Sequence, residues 1–141
     1  MPPGVTARVY PDGMQIAAVA VSATDLPRTV AFYEALGFSF PPLEAGTEHV
    51  EAEAGIRLMV DTAALLEGLH GEPPRPGNTA AFALLLDSPR EVDEAAGRAA
   101  GAGGRVLLEP FDAPWGQRYA TVADPDGWHV DLFCPLGTSG G

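Results

Sequence analysis

Lysine is missing from this chain of 141 residues: all eight basic residues are arginine, set against nineteen acidic ones, for a formal net charge of −11. A field of that sign repels nucleic acid and anionic membrane and favours cationic partners. Acidic surfaces also serve solubility alone. The missing lysine, beside abundant alanine, glycine and proline, reads as the bias of a GC-rich genome more than as a function. Cysteine is nearly absent too. The single Cys134 excludes an intrachain disulfide and a multi-cysteine zinc site. Its place in a strand-like run reads as a buried structural thiol, not a nucleophile. No apolar run approaches the length of a membrane-spanning helix. The opening Met1-Pro2-Pro3-Gly4-Val5 lacks the basic-then-apolar pattern of a signal peptide, so a soluble, cytoplasmic protein is the expectation. A 46% hydrophobic fraction argues against disorder, and the length suits one domain over 1–141.

What is present is a phrase used twice. Asp25-Leu26-Pro27-Arg28-Thr29-Val30 returns 62 residues later as Asp87-Ser88-Pro89-Arg90-Glu91-Val92, both matching D-x-P-R-x-V. Each copy follows an apolar, strand-like run and opens a segment with helical spacing, which implies two copies of one supersecondary unit. Two such units facing each other across a pseudo-dyad leave a space for a ligand between them.

The elements follow from local chemistry. Residues 1–13, with Pro2, Pro3, Pro11 and Gly13, read as a loose leader or a short edge strand. Met14–Ala23 reads as a strand and Thr24 as an N-cap. Pro27 sits in the first turn, and Leu26, Val30, Tyr33 and Leu36 share one helical face, ended by Gly37. Phe38-Ser39-Phe40 reads as a short strand broken by Pro41-Pro42. Glu48–Glu53 and Ile56–Asp61 read as a hairpin across Ala54-Gly55, and residues 62–69 as one helical turn. After a proline-rich linker, Gly71–Asn78, the nearly continuous apolar run Thr79–Leu86 reads as a strand buried on both faces. Ser88-Pro89-Arg90-Glu91 is a capping box, followed by a stripe of Val92, Ala95, Ala96, Ala99 and Ala100. The glycines of Gly101–Gly104 follow this helix instead of preceding it, which argues against a phosphate loop. Arg105–Glu109, Arg118–Ala123 and Trp128–Cys134 read as strands, the last two joined by the turn Asp124-Pro125-Asp126-Gly127. The predicted order is β-α-β-β-β twice, in modules 14–70 and 79–135.

The segments Asp25-Leu26…Phe32-Tyr33…Leu36-Gly37-Phe38, Pro114-Trp115-Gly116 and Asp124-Pro125-Asp126-Gly127…Asp131-Leu132, in this order and spacing, resemble the vicinal oxygen chelate superfamily. That superfamily includes glyoxalase I, extradiol dioxygenases and the fosfomycin- and bleomycin-resistance proteins. The resemblance spans residues 14 to 135. It implies an α+β fold of paired βαβββ modules, with eight strands in an open, cup-shaped mixed sheet around a cavity and helices on the outer face. It also implies a homodimer. Superfamily enzymes place metal ligands on the first strand of each module and on the last strand of the second, often with a further Glu on the fourth strand. Carried over, those positions fall on Ala18, Ala81 and Asp131, with the fourth-strand position near Arg57. One carboxylate does not hold a catalytic divalent ion firmly.

Three readings stay open, the third being a structural domain with an empty cup. In the first, the chain belongs to the metal-free branch, typified by bleomycin-resistance proteins, and needs no cofactor. It then binds a cationic aromatic drug or metabolite through an aromatic platform and carboxylates, as a small-molecule sequestering protein conferring antibiotic resistance. Candidate platforms are Trp115, Tyr119 and Trp128, with Asp131, Glu51 and Asp61 as counter-charges; Trp115 and Trp128 also read as core or interface residues, and Phe32 and Tyr33 as core. In the second, a metal-dependent lyase or dioxygenase has relocated its ligands to His49 and Glu51, alternating on one strand, and His129 and Asp131 on another. His129 and Asp131 also have the spacing of a metal-free acid/base pair. His70, in the linker, reads as exposed. Enzymatic activity is left undecided by the sequence.

Overall fold

The computed structural model describes residues 16–137, so Met14, Gln15 and the leader reading of residues 1–13 lie outside the described residues. The described chain folds as α+β, with two open sheets and three helices. The first sheet joins β1 (Ala18–Ala23), β2 (His49–Ala54) and β3 (Ile56–Thr62) in the order β1-β3-β2. The second joins β4 (Ala80–Leu85), β5 (Arg105–Ala113), β6 (Gln117–Ala123) and β7 (His129–Pro135) in the order β4-β7-β6-β5. Helix α1 (Leu26–Ala35) follows β1, α2 (Ala63–His70) follows β3 and α3 (Pro89–Gly101) follows β4. In both sheets the first strand runs parallel to the last, and the remaining pairs are antiparallel.

The two sheets are therefore the same design with one omission. Strand β5 has no counterpart in the first, because Phe38-Ser39-Phe40 is loop and not strand. Pro41 and Pro42 explain the difference. Neither can donate to a ladder, and Pro41 restricts the residue before it. Seven strands stand among the described residues where the resemblance implies eight.

Both helix starts were signalled by the repeated motif, but the caps differ by one position. Asp25, not Thr24, caps α1 by accepting the Arg28 N–H (3.1 Å). In the second copy Ser88 accepts the Glu91 N–H (3.1 Å). The hydroxyl of Thr24 is drawn elsewhere, donating to Asp126 (2.7 Å). The residues 62–69 expected as one turn form α2, capped by the Thr62 hydroxyl and closed by Gly71 at φ 85°.

The core lies between the helices and one face of each sheet. Val21, Leu58, Val60 and Val50 meet Val30, Phe32 and Tyr33 from α1, while Val122, Val130 and Leu132 meet Val92, Ala95, Ala96 and Ala99 from α3. Small residues on α3 bring it close to its sheet; Ala100 points away to solvent. Cys134 is buried. The expectation that Thr79–Leu86 is covered on both faces is corrected. Phe82 and Leu84 pack inward, whereas Ala81, Ala83 and Leu85 are exposed, Leu85 by 65%. The run is apolar on both faces, but no layer covers the second.

The turn Asp124–Gly127 ties the halves together. Asp126 accepts from the Thr24 hydroxyl and, at 3.3 Å, from the Thr29 hydroxyl, and Trp128 Nε1 donates to Ser22 Oγ (3.2 Å). Buried Tyr33 donates to Asp124 (2.7 Å), whose other oxygen accepts the N–H groups of Asp126 and Trp128. Burial pushes the Asp124 carboxyl above its ordinary range despite these donors, and burial beside Asp124 pushes Tyr33 far up.

Candidate functional site

Period-two alternation settles which side chains share the open faces. On the first sheet, register partners Ala18, Arg57 and Glu53 lie side by side, as do Ala20, Met59 and Glu51, and Ser22, Asp61 and His49. On the second sheet, Ala83, Asp131 and Thr121 are partners, flanked by Leu85, Phe133 and Tyr119. Strand β5 adds Phe111 beside Tyr119. Of the residues singled out from the sequence, His49, Glu51, Arg57 and Asp61 lie on the first sheet, and Trp115, Tyr119, His129 and Asp131 on or beside the second. Two clusters of opposite character result, neither of which includes a side-chain bond from His129 among the described residues.

The cluster on the first sheet is neutralised from within. His49 Nδ1 bonds Asp61 (2.5 Å) and Nε2 bonds Glu51 (2.8 Å), while Arg57 approaches Glu51 at 3.5 Å. Hydrogen bonds to Asp61 and then Glu51 raise the His49 imidazole above its ordinary pKa, and the bond from His49 lowers Glu51. Two carboxylates thus face two cationic groups, and neither Glu51 nor Asp61 is left to balance a ligand's charge.

The cluster on the second sheet is different. Trp115, at the tip of the β5–β6 hairpin, is 59% exposed, which removes the core reading of this residue. Its ring meets Tyr119 edge-on at 5.3 Å, and Phe111 meets both at 6.2 Å. Gln117 orients Trp115 by accepting its Nε1–H (2.9 Å). Asp131 accepts the Tyr119 hydroxyl (2.5 Å) on one oxygen and the Thr121 hydroxyl (2.8 Å) on the other. Burial and then the bond to Asp131 raise the Tyr119 phenol. Hydroxyl donors stabilise a carboxylate without cancelling its charge. Among the described residues, no arginine or histidine forms an ion pair with Asp131. Trp128 belongs instead to the seam between the halves, packed against the core.

The superfamily's metal positions do not fit an ion. Ala18 and Ala81 offer methyl groups, Arg57 is a cation, and both Asp131 oxygens already accept hydroxyl protons. The relocated set fares no better: both nitrogens of His49 are engaged, and His129 and Asp131 stand on the other sheet. No group of three or more His, Cys, Asp or Glu among the described residues is disposed to hold a metal ion. The sequence reading missed Phe111 as the third ring of the cluster; Phe111 and Tyr119 are register partners only because two bulges shift the β5–β6 ladder.

Repeated modules, open sheets and a chemically lined face define a fold class, and the comparisons give it a family. A profile of the Glyoxalase/Bleomycin resistance protein/Dioxygenase superfamily matches residues 15–132, and the chain belongs to that superfamily. It is 34% identical over 114 residues to proteins of Mycobacterium bovis and Mycobacterium tuberculosis named "Putative glyoxylase CFP32". That match covers 79% of this chain but 41% of those relatives, so the chain spans less than half their length. Among solved structures, a glyoxalase-related enzyme from Fulvimarina pelagi superposes with a TM-score of 0.74 at 27% identity, covering 88% of this chain and 93% of that one. A glyoxalase/bleomycin resistance protein/dioxygenase from Nocardioides gives 0.63 at 25% identity, covering 94% and 87%. No helix among the described residues is long and apolar enough to cross a membrane.

Proposed function

We infer that this protein binds a cationic, aromatic small molecule without a metal ion, on the open face of its second sheet. The observation that carries this reading is the three-ring cluster of Trp115, Tyr119 and Phe111 beside the unbalanced Asp131. An exposed indole stacks on a flat ligand and attracts a cation over its face, and a nearby carboxylate held by neutral donors adds charge. The chain's acidic balance draws such a ligand in. The alanines at both ligand positions favour binding over metal-assisted chemistry, and sequestration of a drug or metabolite by a cytoplasmic homodimer is the role that fits. Titration with benzyltrimethylammonium, followed by tryptophan fluorescence and thermal shift, tests the reading. Binding is expected to weaken about 5- to 30-fold in Trp115→Ala, the range of a cation–π contact of about 1–2 kcal/mol, and also in Asp131→Asn. Equal binding of a neutral isostere, or an undiminished affinity in Trp115→Ala, would refute it. Sedimentation velocity checks the homodimer.

A further inference from the structure

The two sheets share one strand plan, and the first has a vacant place. In the second sheet β5 lies outside β6; in the first, no strand among the described residues pairs outside β2. The hydrogen-bond phase shows what the vacancy presents. Thr62 N–H donates to the Glu48 carbonyl (2.9 Å), so Val50, Ala52 and Ala54 are the residues bonded to β3. The N–H and C=O groups of His49, Glu51 and Glu53 therefore point outward, three donors and three acceptors along a free edge. Beside that edge runs a groove of about 520 Å³, walled by Pro41, Pro42, Glu44 and Thr47 opposite Glu51 and Glu53.

Proteins blunt free edges with bulges and proline. Strand β5, the outer edge of the second sheet, carries both: two register shifts and Pro110. Strand β2 carries neither, pairing with β3 through six unbroken positions. Its protection is charge alone, and charge is selective. A strand bearing arginine or lysine meets Glu44 and Glu53 favourably, and neither forms an ion pair among the described residues.

We propose that the β2 edge is a docking site for an extended basic peptide segment, which adds as the fourth strand of the first sheet. Main-chain bonds to His49, Glu51 and Glu53 supply register, and the Glu44 and Glu53 carboxylates select for positive charge. The site is on the other sheet from the aromatic cluster and does not depend on it.

Amide hydrogen exchange on the full chain tests this, with an end-blocked hexapeptide alternating valine and arginine as probe and its valine–glutamate counterpart as control. The valine–arginine peptide is expected to slow exchange at His49, Glu51 and Glu53 at least tenfold, and the control to leave it unchanged. Glu44→Gln and Glu53→Gln, both at exposed positions, each weaken the effect about 2- to 5-fold, the range of exposed ion pairs. Slow exchange at these amides in the free chain would overturn the proposal, because the edge would already be filled by the chain's own terminus or a second copy. Equal protection by the acidic peptide, or protection on β5 instead, would overturn it as well.

Discussion

Replacing Tyr33 by phenylalanine removes one oxygen from the interior and isolates the bond that fastens α1 to the second sheet. Tyr33 is 0% exposed and Asp124 2%, and the hydroxyl donates to the carboxylate at 2.7 Å. A hydrogen bond to a charged acceptor contributes about 1.5–3 kcal/mol. Two backbone donors remain on Asp124 Oδ1, but Oδ2 loses its hydroxyl donor, so a loss of about 2–3 kcal/mol is expected at neutral pH. The loss depends on pH in a definite direction. Asp124 is raised in the fold, so its contribution to stability is fully present below its unfolded pKa, about 3.9, and disappears as pH rises through the folded value. The tyrosine bond opposes that disappearance by holding the ionised form. Acidification weakens the bond to a neutral pair worth about 1 kcal/mol. The gap between wild type and Tyr33→Phe should therefore narrow as pH falls. Urea unfolding between pH 7 and 4 measures it, with midpoints shifting at unchanged slope. A cost below about 0.5 kcal/mol at pH 7, or a gap that widens in acid, would refute the reasoning.

Two further outcomes follow from the same packing and pairing. His49 should titrate above the ordinary imidazole value by NMR, and Asp61→Asn should bring it back toward about 6.5. Because its folded pKa is raised, the stability it adds is complete below about 6.5 and fades as pH rises through the folded value; an unshifted His49 would contradict the pairing. Gly104→Ala should destabilise by about 1–3 kcal/mol in thermal or urea melts, since the new Cβ would stand 2.3 Å from a Phe32 ring carbon and 2.5 Å from the Ala123 carbonyl. A neutral Gly104→Ala would mean that the strand entering β5 shifts freely.

Much of this architecture was written locally. The repeated D-x-P-R-x-V motif marked both helix starts, and the Asp124–Gly127 motif marked the β6–β7 turn, because capping and turn chemistry act over three or four residues. The cap on Asp25 escaped because Thr24 is claimed by Asp126, a partner 102 positions away. The doubly buried β4 was misread for a related reason: an apolar run reports tolerance for burial, and only the three-dimensional layering decides whether cover is present. At the site, residue types were legible and pairings were not. His49 and Asp61 meet through the β2–β3 register, and Phe111 joins Trp115 through bulges that no period-two reading anticipates.

The fastening of α1 by the last turn also bears on the order in which the molecule assembles. The bonds Thr24–Asp126, Tyr33–Asp124 and Ser22–Trp128 span 102, 91 and 106 residues. Closing a loop of that size costs about 4 kcal/mol of chain entropy before any bond repays it. During synthesis these bonds cannot pin α1 until residues 124–128 have emerged. The duplicated halves, alike in plan, are thus one cooperative unit in time, and the later half completes the earlier.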